Sequence, residues 1–116
     1  MTLAFKKRYP AAFTAYAKAC KAGEVAPGRI FVYQASDRLI LHFPTKRHFR
    51  DRSKLTDIDA GLTALVSEIA SRRIRSLAVP ALGCGLGGLD WNIVRPRIEA
   101  ALSKLDTVRV LVFAPA

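Results

Sequence analysis

The sequence predicts one α/β domain, in which helices cover a sheet that contains parallel strands. The predicted elements follow the order α-β-β-α-β-α-β, and the closing β-α-β unit is typical of parallel strands joined by a right-handed crossover. The chain has 116 residues, of which 51% are hydrophobic, so it can bury a single core. A glycine-rich loop joins the third strand to the last helix, and we expect the function to centre on that loop.

The first half of the chain predicts a helix followed by a hairpin. Apolar residues at helical spacing indicate a helix that begins near Pro10 and ends before Gly23. β-Branched and aromatic residues then predict two strands, over residues 29–33 and 38–43, with a turn between them. Pro44 should end the second strand, because proline cannot donate a hydrogen bond to a strand ladder.

The second half of the chain alternates helices and strands. The clearest amphipathic helix covers residues 56–72, and its apolar stripe must lie on a sheet. A buried strand over residues 75–81, a helix from Asp90 onward and a last strand over residues 108–113 follow. Pro96 falls within the last helix. We therefore expect either that a first turn ends there or that the regular helix begins there.

The loop after the third strand runs Leu-Gly-Cys-Gly-Leu-Gly-Gly-Leu-Asp over residues 82–90. Its glycines let a ligand approach the backbone, and its N–H groups and the dipole of the next helix favour an anion such as a diphosphate. The spacing matches neither a dinucleotide-binding fingerprint nor a P-loop. A tight turn without any ligand is the alternative. We expect Cys84 to be a small tolerated side chain rather than a reactive thiol.

The formal net charge of +10 favours a polyanionic partner or a phosphate ligand. Basic residues crowd the stretch from Lys46 to Lys54, which is either a nucleic-acid contact or a solvated surface. Two cysteines and two histidines provide neither a disulfide framework nor metal-ligand spacing, so we expect no metal. No apolar run approaches the ~20 residues that span a bilayer, and no signal peptide is recognisable, so the cytoplasm is the expected location.

Two blocks of the chain resemble a known family. Phe-Pro-Thr-Lys-Arg-His at residues 43–48 and Leu-Gly-Cys-Gly-Leu-Gly-Gly-Leu-Asp-Trp at residues 82–91, with the helix between them, look like the DarG-type macrodomains. Members of that family are DNA ADP-ribosyl glycohydrolases, antitoxins that reverse thymidine ADP-ribosylation by the DarT toxin. The likeness extends over residues 1–116 as a single domain.

The resemblance implies roles for the matching residues. Lys46 would be the catalytic lysine, although an exposed charge in a basic loop is the alternative. His42 and Phe49 stand where the family usually has asparagine and tryptophan. The neighbours of Lys46 that would contact DNA are Thr45, Arg47, His48 and Arg50. The loop residues that would bind the diphosphate and distal ribose of ADP-ribose are Gly83, Cys84, Gly85, Leu86, Gly87 and Gly88.

The resemblance also implies a macrodomain-like, three-layer α/β/α fold with a mixed sheet, N-terminally truncated so that about four strands and three helices remain. The family's first strands, its asparagine-containing substrate segment and a Gly-Lys-Gly loop have no counterpart. One absent strand would lie between the strands at 38–43 and 75–81. We expect that those two strands pair directly, that a second copy lends a strand through self-association of exposed strands, or that the chain belongs to a longer protein.

The leading hypothesis is an enzyme that removes ADP-ribose from thymidine in DNA, needs no cofactor and is paired with a DarT-type toxin. The alternative is an ADP-ribose-binding or degenerate macrodomain without turnover. A plain nucleic-acid-binding domain ranks last, because no helix-turn-helix or RRM signature is present. Lys46 would protonate or stabilise the leaving base, or attack the anomeric carbon, and the sequence does not choose between these roles.

Overall fold

The computed structural model describes residues 7–35, 38–46, 52–84 and 87–115. These ranges contain three helices and four strands in the predicted order. The elements are α1 (Pro10–Lys21), β1 (Phe31–Gln34), β2 (Leu39–His42), α2 (Leu55–Arg72), β3 (Ser76–Val79), α3 (Trp91–Leu102) and β4 (Arg109–Val112).

Local sequence signals account for the ends of the first elements. Pro10 occupies the first turn of α1, where its missing N–H costs nothing, and Gly23 follows the helix at a φ of 74°. β1 and β2 pair antiparallel, with Phe31 opposite His42, and the predicted hairpin is confirmed. Helix α1 packs against β1.

Helix α2 supplies the largest part of the core. One stripe of its side chains is buried, as the amphipathic pattern predicts, and it packs against α3. The C-cap residue, Arg73, adopts the left-handed conformation at φ 53° and ends the helix. The buried core residues are Ile58, Leu62, Leu65, Ile69, Val79, Leu82, Val94, Ile98 and Leu102.

Strands β3 and β4 pair in parallel through the α3 crossover, with Val79 opposite Val112. Val79 is 3% exposed, whereas Leu111 is 48% exposed and Phe113 is 56% exposed. Ser76 and Ala78 of β3 are exposed as well, so the prediction that the strand over residues 75–81 is buried is wrong for one of its faces. Side chains alternate between the two faces of a strand, and the core formed with α2 and α3 covers only one of them.

The two strand pairs do not join into one sheet. Within the described ranges, β2 is hydrogen-bonded to β1 and β3 to β4, and neither bonds the other. Consecutive residues of β2 and β3 line a groove of about 770 Å³, so the groove exposes the edges of both strands. Of the three expected alternatives, direct pairing of these two strands is therefore wrong. Strand β1 packs against α1, whereas Leu41 of β2 and Val79 of β3 both pack in the core around α2 and α3.

Helix α3 continues through Pro96 without a break, so both expected alternatives for this proline are wrong. Pro96 offers no N–H to the carbonyl of Asn92, but both residues are exposed and water can bond that carbonyl. Buried Val94, Ile98 and Leu102 hold the helix from the other side. No helix in the described part of the chain is long and apolar enough to cross a membrane.

Candidate functional site

The glycine loop, residues 82–90, connects β3 to the N-terminus of α3 as predicted. The Asp90 carboxylate caps this helix by accepting a hydrogen bond from the Asn92 N–H at 2.9 Å. Gly83 and Gly88 have φ values of 72° and 78°, a backbone conformation that residues with a side chain rarely adopt. The Leu89 N–H donates to the Gly83 carbonyl at 2.9 Å and closes the loop.

Both ends of the loop rest on Ser53, which lies just before α2. The Ser53 N–H donates to the Gly87 carbonyl at 3.0 Å. A methyl group added at Gly87 would lie 2.3 Å from Ser53 Oγ and 2.5 Å from the Gly83 carbonyl oxygen. A methyl group at Gly83 would lie 2.8 Å from Leu89 Cδ1 and 3.1 Å from Ser53 Cβ. Close packing therefore requires glycine at both positions.

The segment that carries Lys46 leaves the end of β2 and is held against α2. The ring of Phe43 lies on Gly61, where an added methyl group would be 2.3 Å from Phe43 Cζ. Pro44 is buried, while Thr45 and Lys46 are half-buried. Residues 43–46 are therefore positioned by a ring packed on the bare backbone of a helix.

The structure places the end of the basic stretch, Arg52 and Ser53, beside the glycine loop. The stretch that begins with Lys46 ends at Ser53, which is bonded to the glycine loop, and the neighbouring Arg52 is also close. Its Cδ and Nε lie 3.9 Å from the position of a methyl group at Gly88. Positive charge thus lies beside the loop. The predicted residues Arg47, His48, Phe49, Arg50, Gly85 and Leu86 lie outside the described residues.

His42, the residue in place of the family's asparagine, is 8% exposed. Its ring stacks on Tyr16 with a centroid distance of 4.3 Å and lies 5.7 Å from the ring of Phe31. Burial lowers the pKa of His42 to about 4, so its ring is neutral at neutral pH. Burial also raises the pKa of Tyr16 to about 12. His42 therefore packs the end of β2 against α1.

Cys84 and Trp91 behave as packing residues. Both are partly buried against the core. The Cys84 thiol donates to the Leu82 carbonyl at 3.5 Å, and burial, assisted by the Asp90 carboxylate, raises the pKa of this thiol. A protonated thiol is a poor nucleophile, which supports the prediction of a small tolerated side chain. The described residues contain no group of three side chains that could hold a metal.

Two contributors to the site were not predicted, Ser53 and Gly61. Gly61 carried a usable signal, because a glycine inside a strongly amphipathic helix costs stability and often marks a close contact. Ser53 carried none, because a serine before a helix is common and its contacts with residues 83 and 87 are distant in sequence.

Comparison with known proteins shows the family to which the chain is similar. The family model described as Macro domain matches residues 1–98. The DNA ADP-ribosyl glycohydrolase of Mycobacterium tuberculosis (strain ATCC 25618 / H37Rv) is 47% identical over 120 residues, covering 100% of this chain and 34% of that protein. A similar protein from Thermus aquaticus is 45% identical and is covered to 33%. The chain therefore spans about a third of the length of these curated relatives.

Solved structures show the same arrangement of elements. The macrodomain of Mycobacterium tuberculosis DarG superposes with a TM-score of 0.96 at 47% identity, covering 98% of this chain and 78% of that one. Thermosipho africanus DarTG in complex with ADP-ribose superposes with a TM-score of 0.87 at 36% identity, covering 96% of this chain and 32% of that one. With the family model matching most of its residues, the chain belongs to the macro domain family.

Proposed function

We propose that this domain acts as an ADP-ribosyl hydrolase that removes ADP-ribose from thymidine in DNA, as the antitoxin of a toxin–antitoxin pair. One observation carries the proposal: the segment that starts at Lys46 ends at Ser53, hydrogen-bonded to the glycine loop. This contact supports the proposal that the stretch carrying Lys46 and the candidate diphosphate site belong to one functional site. The similar proteins from Mycobacterium tuberculosis and Thermus aquaticus are named DNA ADP-ribosyl glycohydrolases, which supports the same activity.

The glycine loop is the proposed binding site for the diphosphate and distal ribose. Gly83 and Gly88 turn the backbone, and the loop leads into the capped N-terminus of α3, where the helix dipole favours negative charge. Arg52 adds a cation at the Gly88 end of the loop. The complex of the similar Thermosipho africanus protein with ADP-ribose supports this ligand.

Hydrolysis breaks the bond between a thymine nitrogen and C1″ of ribose. Positive charge develops on the sugar and negative charge on the leaving base, and water finally supplies the hydroxyl to C1″ and the proton to the nitrogen. As an ammonium, Lys46 would donate that proton or stabilise the base. As a neutral amine, it would attack C1″ and form a covalent intermediate that water then releases. The half-buried position of Lys46 at the end of β2 suits either role.

The basic stretch is proposed to hold the modified DNA. Thr45, Arg47, His48 and Arg50 are the proposed DNA-contacting residues, and the net charge of +10 favours the phosphate backbone. A DarT-type toxin is the proposed partner. A similar protein from Thermosipho africanus is named as a fusion of a DNA ADP-ribosyl transferase with a DNA ADP-ribosyl glycohydrolase, which supports this pairing. A substrate in DNA and two free thiols agree with a cytoplasmic location.

The groove between β2 and β3 is proposed to accept an extended strand. It is lined by residues 39–41 of one strand and 76–78 of the other, so each edge presents backbone groups to an inserted segment. The strand would come from a part of the macrodomain that this chain does not match, or from a second copy by self-association. Light scattering of the purified chain over a range of concentrations separates these sources, because only self-association gives a dimer.

The test compares hydrolysis with binding. ADP-ribose release from a thymidine-modified oligonucleotide and calorimetric titration of free ADP-ribose are measured for the wild type, Lys46→Ala and the control Lys54→Ala. Lys54 belongs to the same basic stretch and is exposed. We expect Lys46→Ala to abolish release while affinity changes only a few-fold, the pattern of a group that acts mainly in the transition state. Equal turnover by this variant would remove Lys46 from the mechanism.

The same experiment distinguishes hydrolysis from the alternative function, an ADP-ribose-binding or degenerate macrodomain without turnover. That alternative requires tight binding and no release by the wild type. A covalent adduct of Lys46 with ADP-ribose, found by mass spectrometry of quenched reactions, would assign the nucleophilic role. Binding of unrelated nucleotides as strongly as ADP-ribose would contradict both functions.

A further inference from the structure

The hydroxyl of Ser53 is buried and has no hydrogen-bond partner among the described residues. Ser53 is 5% exposed, and no described residue gives its Oγ a hydrogen bond. A buried hydroxyl that leaves water without finding a partner is costly, and native proteins contain few such groups. The hydroxyl therefore calls for an explanation in the function of the site.

The surroundings of this hydroxyl connect it to the glycine loop. The Ser53 Oγ atom lies 2.3 Å from the position that a Cβ atom at Gly87 would occupy. The backbone of the same residue bonds the Gly87 carbonyl at 3.0 Å. Ser53 is thus both an anchor of the loop and the end of the segment that begins with Lys46.

We propose that Ser53 is a positioning residue, whose hydroxyl forms its hydrogen bond when ADP-ribose occupies the glycine loop. The inference rests on the proposed function for the identity of the ligand. No described residue bonds the hydroxyl, and ligand binding would supply its hydrogen bond, so this group would favour the occupied loop over the empty one. A ligand shifts an equilibrium only through such differential interactions. The bond would also hold the loop against the segment that carries Lys46.

The proposal predicts that one substitution affects two quantities differently: the unfolding temperature without ligand does not fall, but the affinity for ADP-ribose does. Ser53→Ala removes an unsatisfied polar group from the free protein, so its unfolding temperature without ligand should stay equal or rise. The same change removes a hydrogen bond from the occupied state, so the affinity for ADP-ribose should fall about tenfold. A residue with a purely structural role would lower the unfolding temperature and leave the affinity unchanged.

The experiment measures thermal unfolding with and without ADP-ribose, and calorimetric affinity, for the full chain. Ser53→Cys keeps the volume but replaces the hydroxyl by a weak hydrogen-bonding group, and it should lose affinity as Ser53→Ala does. Ser67→Ala, at an exposed position of α2, is the matched control and should change neither quantity.

Three results would overturn the inference. In the first, Ser53→Ala unfolds at a lower temperature and binds ADP-ribose like the wild type, which indicates packing alone. In the second, Ser53→Cys binds like the wild type while Ser53→Ala does not, which indicates that volume matters and the hydroxyl does not. In the third, the wild type fails to bind ADP-ribose, which removes the proposed function together with this inference.

Discussion

The contact between Phe43 and Gly61 allows a prediction with a magnitude. Substitution of Gly61 by alanine would place Cβ at 2.3, 2.6 and 3.0 Å from three atoms of the Phe43 ring. Carbon atoms in contact lie about 3.5–4.0 Å apart, so the ring has to move by roughly 1 Å or more. Overpacking of this kind costs about 1–3 kcal/mol. Alanine in a helix gains about 0.5–1 kcal/mol over glycine, so Gly61→Ala should lower the free energy of unfolding by up to ~2.5 kcal/mol.

The same displacement should reach the reacting group. Phe43 leads into Pro44 and Lys46, and a shift of about 1 Å in a catalytic segment can cost ~100-fold in rate. We therefore expect Gly61→Ala to lower kcat for ADP-ribose release more than it weakens binding of free ADP-ribose. Urea unfolding gives the stability, and the oligonucleotide assay gives kcat.

A second substitution checks the cause. Phe43→Leu in the Gly61→Ala background provides space for the new methyl group, so the loss of stability in the double variant should be smaller than the sum of the two single losses. The reasoning would be refuted by a Gly61→Ala protein that gains the ~0.5–1 kcal/mol of helix propensity and keeps full turnover.

Three further predictions concern the loop, the pH dependence and the charge. Gly87→Ala places a methyl group 2.3 Å from Ser53 Oγ, so calorimetry should show at least about a tenfold loss of ADP-ribose affinity in a folded protein. The pKa of His42 is about 4 in the folded protein and 6.5 in the unfolded chain, so the unfolded chain binds the extra proton between these values. The free energy of unfolding should therefore fall by up to ~3 kcal/mol as pH decreases from 6.5 to 4, and a flat urea-denaturation profile across that window would contradict the burial of His42. Affinity for modified DNA should fall with salt by about one logarithmic unit of slope per phosphate contact, and Arg52→Gln should reduce the slope if it contacts a phosphate.

The sequence by itself determined the order and type of the elements. The spacing of apolar residues in α2, Pro10 at the start of α1 and Asp90 at the cap of α3 are local signals, and each acts through atoms a few residues away. The glycine loop could be placed for the same reason, because a strand, a run of glycines and a capping residue are contiguous. The resemblance implied the roles proposed for Lys46 and the loop, which composition alone left open.

Only the tertiary structure decided which distant residues meet. The packing of Phe43 on Gly61 and the contact of Ser53 with Gly87 join segments that are separated in sequence, and no local pattern encodes them. The continuity of α3 through Pro96 depends on the buried side chains of its opposite face. That β2 and β3 form no ladder with each other within the described ranges is likewise a property of the folded chain. Hydrogen bonds and packing between remote segments form only once the chain has folded, so they are properties of the whole fold.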